Sequence, residues 1–432
     1  MTVLQSLGLL LSICAATAYI NQRFFKWPQV LALNLMSIIF ALSIIALGFA
    51  GWQPIEDAET FIQSFDFADF VLHGILGMLL FAGAMFVDYE ALRNWAKPIA
   101  ALATVGVAVS AGVIGVLLYG ATLLLGLELP LVWCFLFGAL ISPTDPIAAL
   151  AIVQKTNAPK SMEIKLVGES LFNDGTGVML FLIILGIITT GQVSGHTLAH
   201  EMFLAPVGGI VFGLLLGLLA TRIISTVDHH PTEILITLAL AMTSYGFAEW
   251  LHISAPLSVV ASGLVIGHRA RNFAMSEETR KHLDVFWETL DEILNAMLFV
   301  LIGLELVVVD LPWQVIVLGV VAWLIVLVGR WAGVFGSLLP MHHKGNLGRG
   351  TSKVMVWGGL RGGISLALAL SLPAGPQTSI LIGITFIVVM LSSLVQGMTL
   401  HRVIPAQAAE DAKEEEEEAQ EALAAQNSQN SQ

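Results

Sequence analysis

The sequence has little charge and little cysteine for its length. Only 12% of its 432 residues are Asp, Glu, Lys or Arg, and 56% are hydrophobic, whereas an ordinary soluble domain carries about 25% charged residues. The two cysteines, Cys14 and Cys134, lie inside apolar runs without CxxC spacing, which argues against a zinc or redox site. No basic stretch indicates nucleic-acid binding. These shortages exclude a soluble globular domain and indicate a polytopic membrane protein.

Apolar runs of about 20 residues, the length that crosses a bilayer as an α-helix, recur along the chain. The last residues, 403–432, are rich in Glu and Gln, and we expect a short, disordered cytoplasmic tail there. Residues 1–402 are expected to form one all-α transmembrane domain. We predict thirteen transmembrane helices, near 3–20, 28–50, 66–87, 98–126, 130–153, 165–190, 202–221, 232–252, 255–267, 286–309, 312–340, 354–373 and 377–400.

The distribution of Lys and Arg provides an independent check on this count. Of the 19 Lys and Arg residues, Arg330 and Arg361 fall inside predicted helices. All others fall in loops that follow odd-numbered helices. Because cytoplasmic loops carry the excess of positive charge, we predict an external N-terminus and a cytoplasmic C-terminus. The expected location is the plasma membrane, with a bacterial inner membrane as our assumption.

Short or interrupted helices recur at similar offsets in the two halves of the chain. Pro28 and Pro256 begin short apolar segments 228 residues apart, and Asp145 and Arg361 lie 216 residues apart in the fifth and twelfth predicted helices. Seven helices separate the members of each pair, so one half is inverted relative to the other. We therefore expect two inverted six-helix repeats with interrupted crossing helices, an arrangement typical of secondary transporters.

The sequence "SPTDP" at 142–146 interrupts the fifth predicted helix. Pro143 and Pro146 each remove a backbone donor and free a carbonyl one turn earlier. Freed carbonyls cost several kcal/mol in hydrocarbon unless they line a polar cavity or bind an ion. Thr144, Asp145 and the freed carbonyls are thus candidate oxygen ligands for a monovalent cation. A proline kink with a satisfied aspartate is the alternative.

A polar face of the sixth predicted helix contains the strongest candidate for an ion-binding site. Ser170, Asn173 and Asp174 stand at i, i+3 and i+4 and share one helix face. An ionised carboxylate at this depth costs about 2.5–3.5 kcal/mol unless it is protonated or paired. We therefore expect a proton and a cation to compete for Asp174, so that binding of one expels the other. Asn173 adds a polar contact without a second titratable carboxylate.

Glu169 on the same helix is expected to point in a different direction from Asp174. It lies about 140° from Asp174 around the helix and needs a basic partner, and we predict that this partner is Arg330. We expect Arg361 to serve the second break, where flanking glycines permit unwound backbone and its charge offsets opposing helix-end dipoles. A purely structural role for both arginines is compatible with this prediction.

Four motifs, "SPTDP", "GESLFNDGTG", "FWETLDEILNAMLFVLIGLEL" and "WGGLRGGISLALAL", resemble in order and spacing those of the monovalent cation/proton antiporters of the NhaP and sodium/proton exchanger type. The resemblance covers residues 1 to about 402. It implies an NhaA-like antiporter fold, a homodimer, and elevator-like movement of a core around helices 4–6 and 11–13 against a dimerisation scaffold.

The same resemblance implies site residues and a stoichiometry. The cation ligands of the family fall on Thr144, Asp145, Ser170 and Asp174. An Asn-Asp pair, here Asn173 and Asp174, implies electroneutral exchange of one cation for one proton. The structural ion pair falls on Glu169 and Arg330, and the glycine-flanked arginine on Arg361.

These observations predict a secondary antiporter, not an enzyme, that exchanges Na⁺ or Li⁺ for H⁺ without a resident cofactor. Potassium/proton exchange by the same fold is the first alternative, because oxygen ligands alone do not determine ion size. A cation channel is less favoured, since a channel needs a continuous pore and not two inverted halves. A membrane scaffold without transport activity is the third alternative.

Overall fold

The computed structural model describes residues 3–27, 29–49, 67–145, 149–150, 153, 160–191, 195, 200–309, 311–338 and 349–405. Every regular secondary-structure element in this part of the chain is helical. Pro28, Pro146 and nearly all of the predicted acidic tail lie outside the described residues.

The helices are labelled here in chain order. They are α1 Val3–Ile20, α2 Gln29–Phe49, α3 Phe67–Phe86, α4 Ala96–Leu125, α5 Leu131–Leu140, α6 Lys160–Thr190, α7 His200–Ile224, α8 His230–Trp250, α9 Ala255–Val265, α10 Glu277–Glu305, α11 Trp313–Leu338, α12 Arg349–Trp357, α13 Gly363–Leu370 and α14 Pro376–Pro405.

Seven helices in the described part of the chain are long and apolar enough to cross a membrane: α1 with its continuation to Phe25, α3, α4, α6, α7, α11 and α14. Two shorter apolar helices lie at Ala32–Leu47, within α2, and at Leu131–Leu140. The class, an all-helical polytopic membrane protein, is thereby confirmed. The number thirteen remains a prediction, since α8 and α10 carry acidic residues and the interrupted helices are short.

Both predicted interruptions are present. After α5 ends at Leu140, residues 142–145 are not helical, and helix resumes at 149–150. After α12 ends at Trp357, residues 359–362 are not helical, and α13 begins at Gly363. Each interruption therefore leaves a short stretch of backbone whose polar groups need partners outside a helix.

The helix α9 is almost completely buried within the protein, although its apolar run is short. Residues 255–263 are all buried, and the helical path continues beyond α9 through the π-helical turns Ile266–Ala274. A Cβ atom on Gly213 of α7 would collide with the carbonyl oxygen of Ser258, so glycine is what lets these two helices approach so closely. The helical path is thus several residues longer than the predicted span 255–267, and the extent of the membrane crossing itself remains a prediction.

The helices pack in two groups. α4 packs against α5 and α11, α5 against α6, and α11 and α13 against α14. In the other group α7 and α8 pack against α9, α9 packs against α3, and α10 packs against α1 and α2. The interruptions after α5 and α12 both belong to the first group, and α3, α9 and α10 of the second group border it.

Candidate functional site

The two interruptions bind each other directly. The backbone N–H of Asp145 donates to the carbonyl oxygen of Leu360 at 2.7 Å. Arg361 Nη1 donates to the carbonyl oxygens of Ser142 at 2.6 Å and Pro143 at 3.2 Å. Non-helical backbone from each interruption thus satisfies polar groups of the other, which is how such backbone persists at membrane depth.

The predicted polar face of α6 contacts the first interruption. Ser170 Oγ donates to the carbonyl oxygen of Thr144. Asn173 Nδ2 donates to the carbonyl oxygen of Ser142 at 2.9 Å and to Thr144 Oγ1 at 3.3 Å. All four residues are buried. The i, i+3 pattern therefore places Ser170 and Asn173 where they fasten residues 142–144 to α6.

These contacts correct one expectation about the freed carbonyls. The Ser142 oxygen accepts from both Asn173 and Arg361, and a carbonyl oxygen has two lone pairs. It is therefore saturated and is not available to a cation. The carbonyl oxygens of Pro143 and Thr144 also each accept from one side-chain donor, so the protein itself supplies donors to the backbone acceptors at 142–144.

Asp174 is the residue on this face whose carboxylate is left incompletely satisfied. Asp174 is 3% exposed. The backbone N–H of Thr144 lies within hydrogen-bonding range of its carboxylate. Its Oδ1 is buried without a hydrogen-bond partner among the described groups, as is Asn173 Oδ1 next to it. Buried oxygens normally find a partner, so this pair is suited to receive a proton or a cation.

A cavity of about 390 Å³ leads to Asp174. It runs from the N-terminus of α6, beside Lys160 and Glu163, to Asp174, a distance of about 21 Å along a straight helix. The polar and charged residues in its lining are Asp88, Thr144, Asp145, Lys160, Glu163, Asp174, Asp291 and Asn295. The cavity thus brings Thr144, Asp145 and Asp174 to one accessible space, and Ser170 and Asn173 support it from behind.

The expected contact between Glu169 and Arg330 is present. Arg330 Nη1 and Nη2 donate to Glu169 Oε1 and Oε2 at 2.5 and 2.6 Å, a two-pronged pair. Arg330 also donates to the Met355 carbonyl oxygen from Nε at 3.2 Å and from Nη2 at 3.1 Å. The pair joins α6 to α11 and α12 behind the site and does not line the cavity.

Arg361 acts on a different interruption from the one expected. Its backbone N–H donates to Ser392 Oγ at 3.0 Å, in the same half of the chain. Its guanidinium instead donates to the carbonyl oxygens of Ser142 and Pro143. The charge therefore lies at the first interruption because the two non-helical segments are in contact, and the sequence did not show which segment faces the side chain.

Sequence reasoning missed two polar residues of the cavity, Asp291 and Asn295 on α10. With Leu298, which also lines the cavity, they follow an i, i+4, i+7 spacing that marks one helix face. That spacing is visible in the motif "FWETLDEILNAMLFVLIGLEL". The spacing alone did not separate Asp291 from the neighbouring acidic residues Glu288 and Glu292.

A second cavity of about 310 Å³ approaches the site from the other end of α6. It is lined by Gly175, Val178 and Met179 of α6, immediately after Asp174, and by His73, Glu201 and Glu249. His73 lies 2.8 Å from both Asp69 and Glu249. The two cavities therefore meet α6 on either side of positions 174 and 175.

Two interrupted helices whose non-helical segments hydrogen-bond to each other beside a buried carboxylate, with a cavity reaching that carboxylate, define a secondary active transporter as the class of protein. The family described as "Sodium/hydrogen exchanger, transmembrane" matches residues 9–405. The chain belongs to this family.

Similar proteins agree with this assignment. The Na⁺/H⁺ antiporter NhaP of Pseudomonas aeruginosa is 42% identical over 388 residues, which cover 88% of this chain and 92% of that protein. The Na⁺/H⁺ antiporter NhaH of Halobacillus dabanensis is 36% identical over 395 residues, 88% of this chain and 92% of that protein. The structure of the sodium proton antiporter MjNhaP1 from Methanocaldococcus jannaschii at pH 8 superposes with a TM-score of 0.73 at 22% identity, covering 94% of this chain and 100% of the other. The last similarity establishes a shared fold.

Proposed function

We propose that this chain exchanges Na⁺ or Li⁺ for H⁺ across the membrane at one site centred on Asp174. The proposal rests on the state of the Asp174 carboxylate. This carboxylate is buried, one of its oxygens has no hydrogen-bond partner, and it lies at the inner end of a cavity that Asp145 also lines. Such a carboxylate is stable when it is neutralised by a proton or by a cation. Because both neutralise the same group, binding of one displaces the other.

The proposed ligands of the cation are Asp174, Asp145 and Thr144. Ser170, which we expected among the ligands, donates its hydroxyl to Thr144 and does not line the cavity, so we assign it with Asn173 to holding the interruption in position. Hydroxyl, carboxylate and carbonyl oxygens suit a hard cation. The unpartnered Asn173 Oδ1 adds a neutral acceptor. Since Asn173 does not titrate and neither arginine contacts Asp174, we propose that one proton leaves for each cation bound and that exchange is electroneutral.

Alternating access follows from the two cavities. The first reaches Asp174 from the N-terminal end of α6, and the second stops at Gly175 from the opposite end. Neither of these two cavities runs from one end of α6 to the other, which favours an antiporter over a channel. We propose that the group containing α4–α6 and α11–α14 is the core, moves as an elevator relative to the scaffold of the remaining helices, and exposes the site to each side in turn.

The remaining architecture is proposed on the same basis. It comprises thirteen crossings in two inverted six-helix repeats within 1–402, and a cytoplasmic tail at 403–432.

The end of the protein where the larger cavity opens carries four basic residues, Arg93, Lys97, Lys160 and Lys165. By the distribution of positive charge this end is cytoplasmic, so the structure would correspond to an inward-open state. We also propose a homodimer, joined through the scaffold helices, in a bacterial inner membrane.

The test is dissipation of an imposed pH gradient in proteoliposomes. Wild type and Asp174→Asn are compared in Li⁺, Na⁺ and K⁺, with and without a clamped membrane voltage. We expect saturable dissipation by wild type in Na⁺ and Li⁺, equal rates with and without the clamp, and no dissipation by Asp174→Asn. Faster exchange in K⁺ would favour the potassium alternative, and exchange retained by Asp174→Asn would refute the proposed site.

A further inference from the structure

The cavity that reaches Asp174 contains a further carboxylate, on Asp291, that the proposed exchange does not use. Asp291 is partly buried and belongs to α10, which packs against α1 and α2. The ion-site residues Asp145 and Asp174 belong to the interruption after α5 and to α6. Asp291 therefore faces the ion site from the other group of helices, across the cavity.

One space joins the three carboxylates. Asp145, Asp174 and Asp291 all line the same cavity. A cation that enters this cavity therefore meets the Asp291 carboxylate in the same space as those of Asp145 and Asp174.

The surroundings of Asp291 leave its negative charge uncompensated. Asn295, one turn further on, interacts with the carboxylate and donates from Nδ2 to the Asp291 carbonyl oxygen at 2.8 Å. The nearby titratable groups are Asp145 and, on its own helix, Glu292, both acidic. The ion pairs among the described residues do not include Asp291.

The charged residues further out in the cavity are also mainly acidic. Asp88 and Glu163 line it together with one basic residue, Lys160. A cleft lined by charges of one sign between low-dielectric walls concentrates ions of the opposite sign. Among the acidic residues that line this cleft, Asp291 is the one that α10 contributes.

We propose that Asp291 guides cations to the site: it raises the local concentration of monovalent cations beside Asp145 without being a ligand of the bound ion. This inference rests on the proposed exchange at Asp174. The residue is a positioning residue, and its effect is predicted to be electrostatic and confined to the side of the membrane on which this cavity opens.

The competition between Na⁺ and H⁺ makes the effect depend on pH in a specific way. A negative charge on Asp291 raises the local concentrations of both ions by the same factor, because both carry one positive charge. At alkaline pH, where protons do not occupy the site, that factor lowers the apparent KM for Na⁺. At acidic pH the local concentration of the competing proton rises equally, so the factor cancels from the apparent KM.

The experiment is a Na⁺ titration of transport rate in sealed membrane vesicles of both orientations, at one alkaline and one acidic pH. The variant is Asp291→Asn. We expect its KM for Na⁺ to rise by about three- to tenfold at alkaline pH, with the maximal rate retained, when Na⁺ is supplied from the side of Lys160. We expect little change at acidic pH or from the other side.

Matched variants separate this effect from damage to the fold. Glu292→Gln removes a charge from the adjacent, exposed position, which does not line the cavity, and should leave KM unchanged. Asp291→Glu keeps the charge and should restore a KM near that of wild type. Asp291→Ser removes the charge with a smaller side chain and replaces Asp291→Asn if that variant does not fold.

An unchanged KM for Asp291→Asn at alkaline pH would overturn the inference. So would an equal rise in KM at both pH values and from both sides, or the same rise in Glu292→Gln. The proposed exchange would still stand if wild type exchanges Na⁺ for H⁺ and Asp174→Asn does not. Absence of exchange in wild type would instead remove the proposed function itself.

Discussion

The backbone N–H of Asp145 donates a hydrogen bond to the carbonyl oxygen of Leu360 at 2.7 Å. These residues lie in separate interruptions, one after α5 and one after α12. The bond orients the backbone that carries Asp145 toward the cavity and couples its position to the second interruption. Movement of either interrupted helix is therefore expected to displace the Asp145 carboxylate relative to Asp174.

Substitution of Gly362 tests how closely the second interruption must approach Asp145. A Cβ atom at position 362 would lie 3.0 Å from Asp145 Cβ and 3.4 Å from its Cγ. The backbone of Gly362, with φ −126° and ψ −163°, is accessible to other residues, so the effect of Gly362→Ala is steric. Overpacking of this kind costs about 1–3 kcal/mol. We therefore expect the KM of Gly362→Ala for Na⁺ to be at least about fivefold higher than that of wild type in the proteoliposome assay. Gly375→Ala, with no atom closer than 3.9 Å to the new Cβ, should behave as wild type.

Removal of Arg330 tests the ion pair behind the site. Arg330→Met leaves Glu169, which is 1% exposed, as a buried charge without its two-pronged partner. Breaking a buried pair from one side typically costs about 3–5 kcal/mol, so we expect a clearly lower Tm, measured by tryptophan fluorescence in detergent. The double variant Glu169→Gln/Arg330→Met should recover much of the loss, because no unpaired charge remains. Equal Tm values for the single and double variants would contradict an ionic origin of the effect.

Asn173→Asp tests whether the amide is needed as a hydrogen-bond donor. Asn173 Nδ2 donates to the Ser142 carbonyl oxygen and to Thr144 Oγ1, and an ionised aspartate cannot donate. Each buried acceptor that loses its donor costs about 1–3 kcal/mol. We expect the exchange rate to fall at least about tenfold, and the variant not to become a voltage-driven exchanger. Faster dissipation with a clamped voltage than without it, at a rate close to wild type, would disprove this expectation.

Arg361 variants separate its charge from its shape. Arg361 Nη1 alone serves the carbonyl oxygens of Ser142 and Pro143, and a Lys ammonium offers three donors at one nitrogen. We therefore expect Arg361→Lys to fold and to transport at a reduced rate, and Arg361→Met to lower the Tm and abolish transport. Ser392→Ala, which removes only the acceptor of the Arg361 backbone N–H, should have a milder effect on Tm than Arg361→Met. Identical Tm values for all three variants and wild type would show that these contacts do not hold the interruption.

Local patterns in the sequence predicted several parts of the site. The spacing of Ser170, Asn173 and Asp174 is sufficient to place them on one face, since helix geometry relates residues a turn apart. The prolines of "SPTDP" are sufficient to end α5, because they remove donors that a helix needs. The pairing of Glu169 with Arg330 followed from the shortage of cations inside apolar runs: a buried carboxylate requires one, and few were present.

Contacts between distant segments were not predictable in this way. The sequence indicated that Arg361 lies in an interrupted helix, but not that its guanidinium crosses to Ser142 and Pro143. It indicated that the prolines release carbonyl oxygens, but not that Asn173 and Arg361 already occupy one of them. The sequence did not indicate that Asp291 of α10 lines the same cavity as Asp174.

The sequence alone was sufficient to determine the membrane class, the positions of the interruptions, the polar face of α6 and, through its motifs, the family. These depend on hydrophobicity, backbone chemistry and helix periodicity, which act within a few turns. The tertiary structure decided which donors satisfy residues 142–144, which carboxylate is left with an unpartnered oxygen, and which residues border its cavity. These depend on how helices more than a hundred residues apart in the chain cross and pack, and hydrogen-bond partners at such separations are set by that packing.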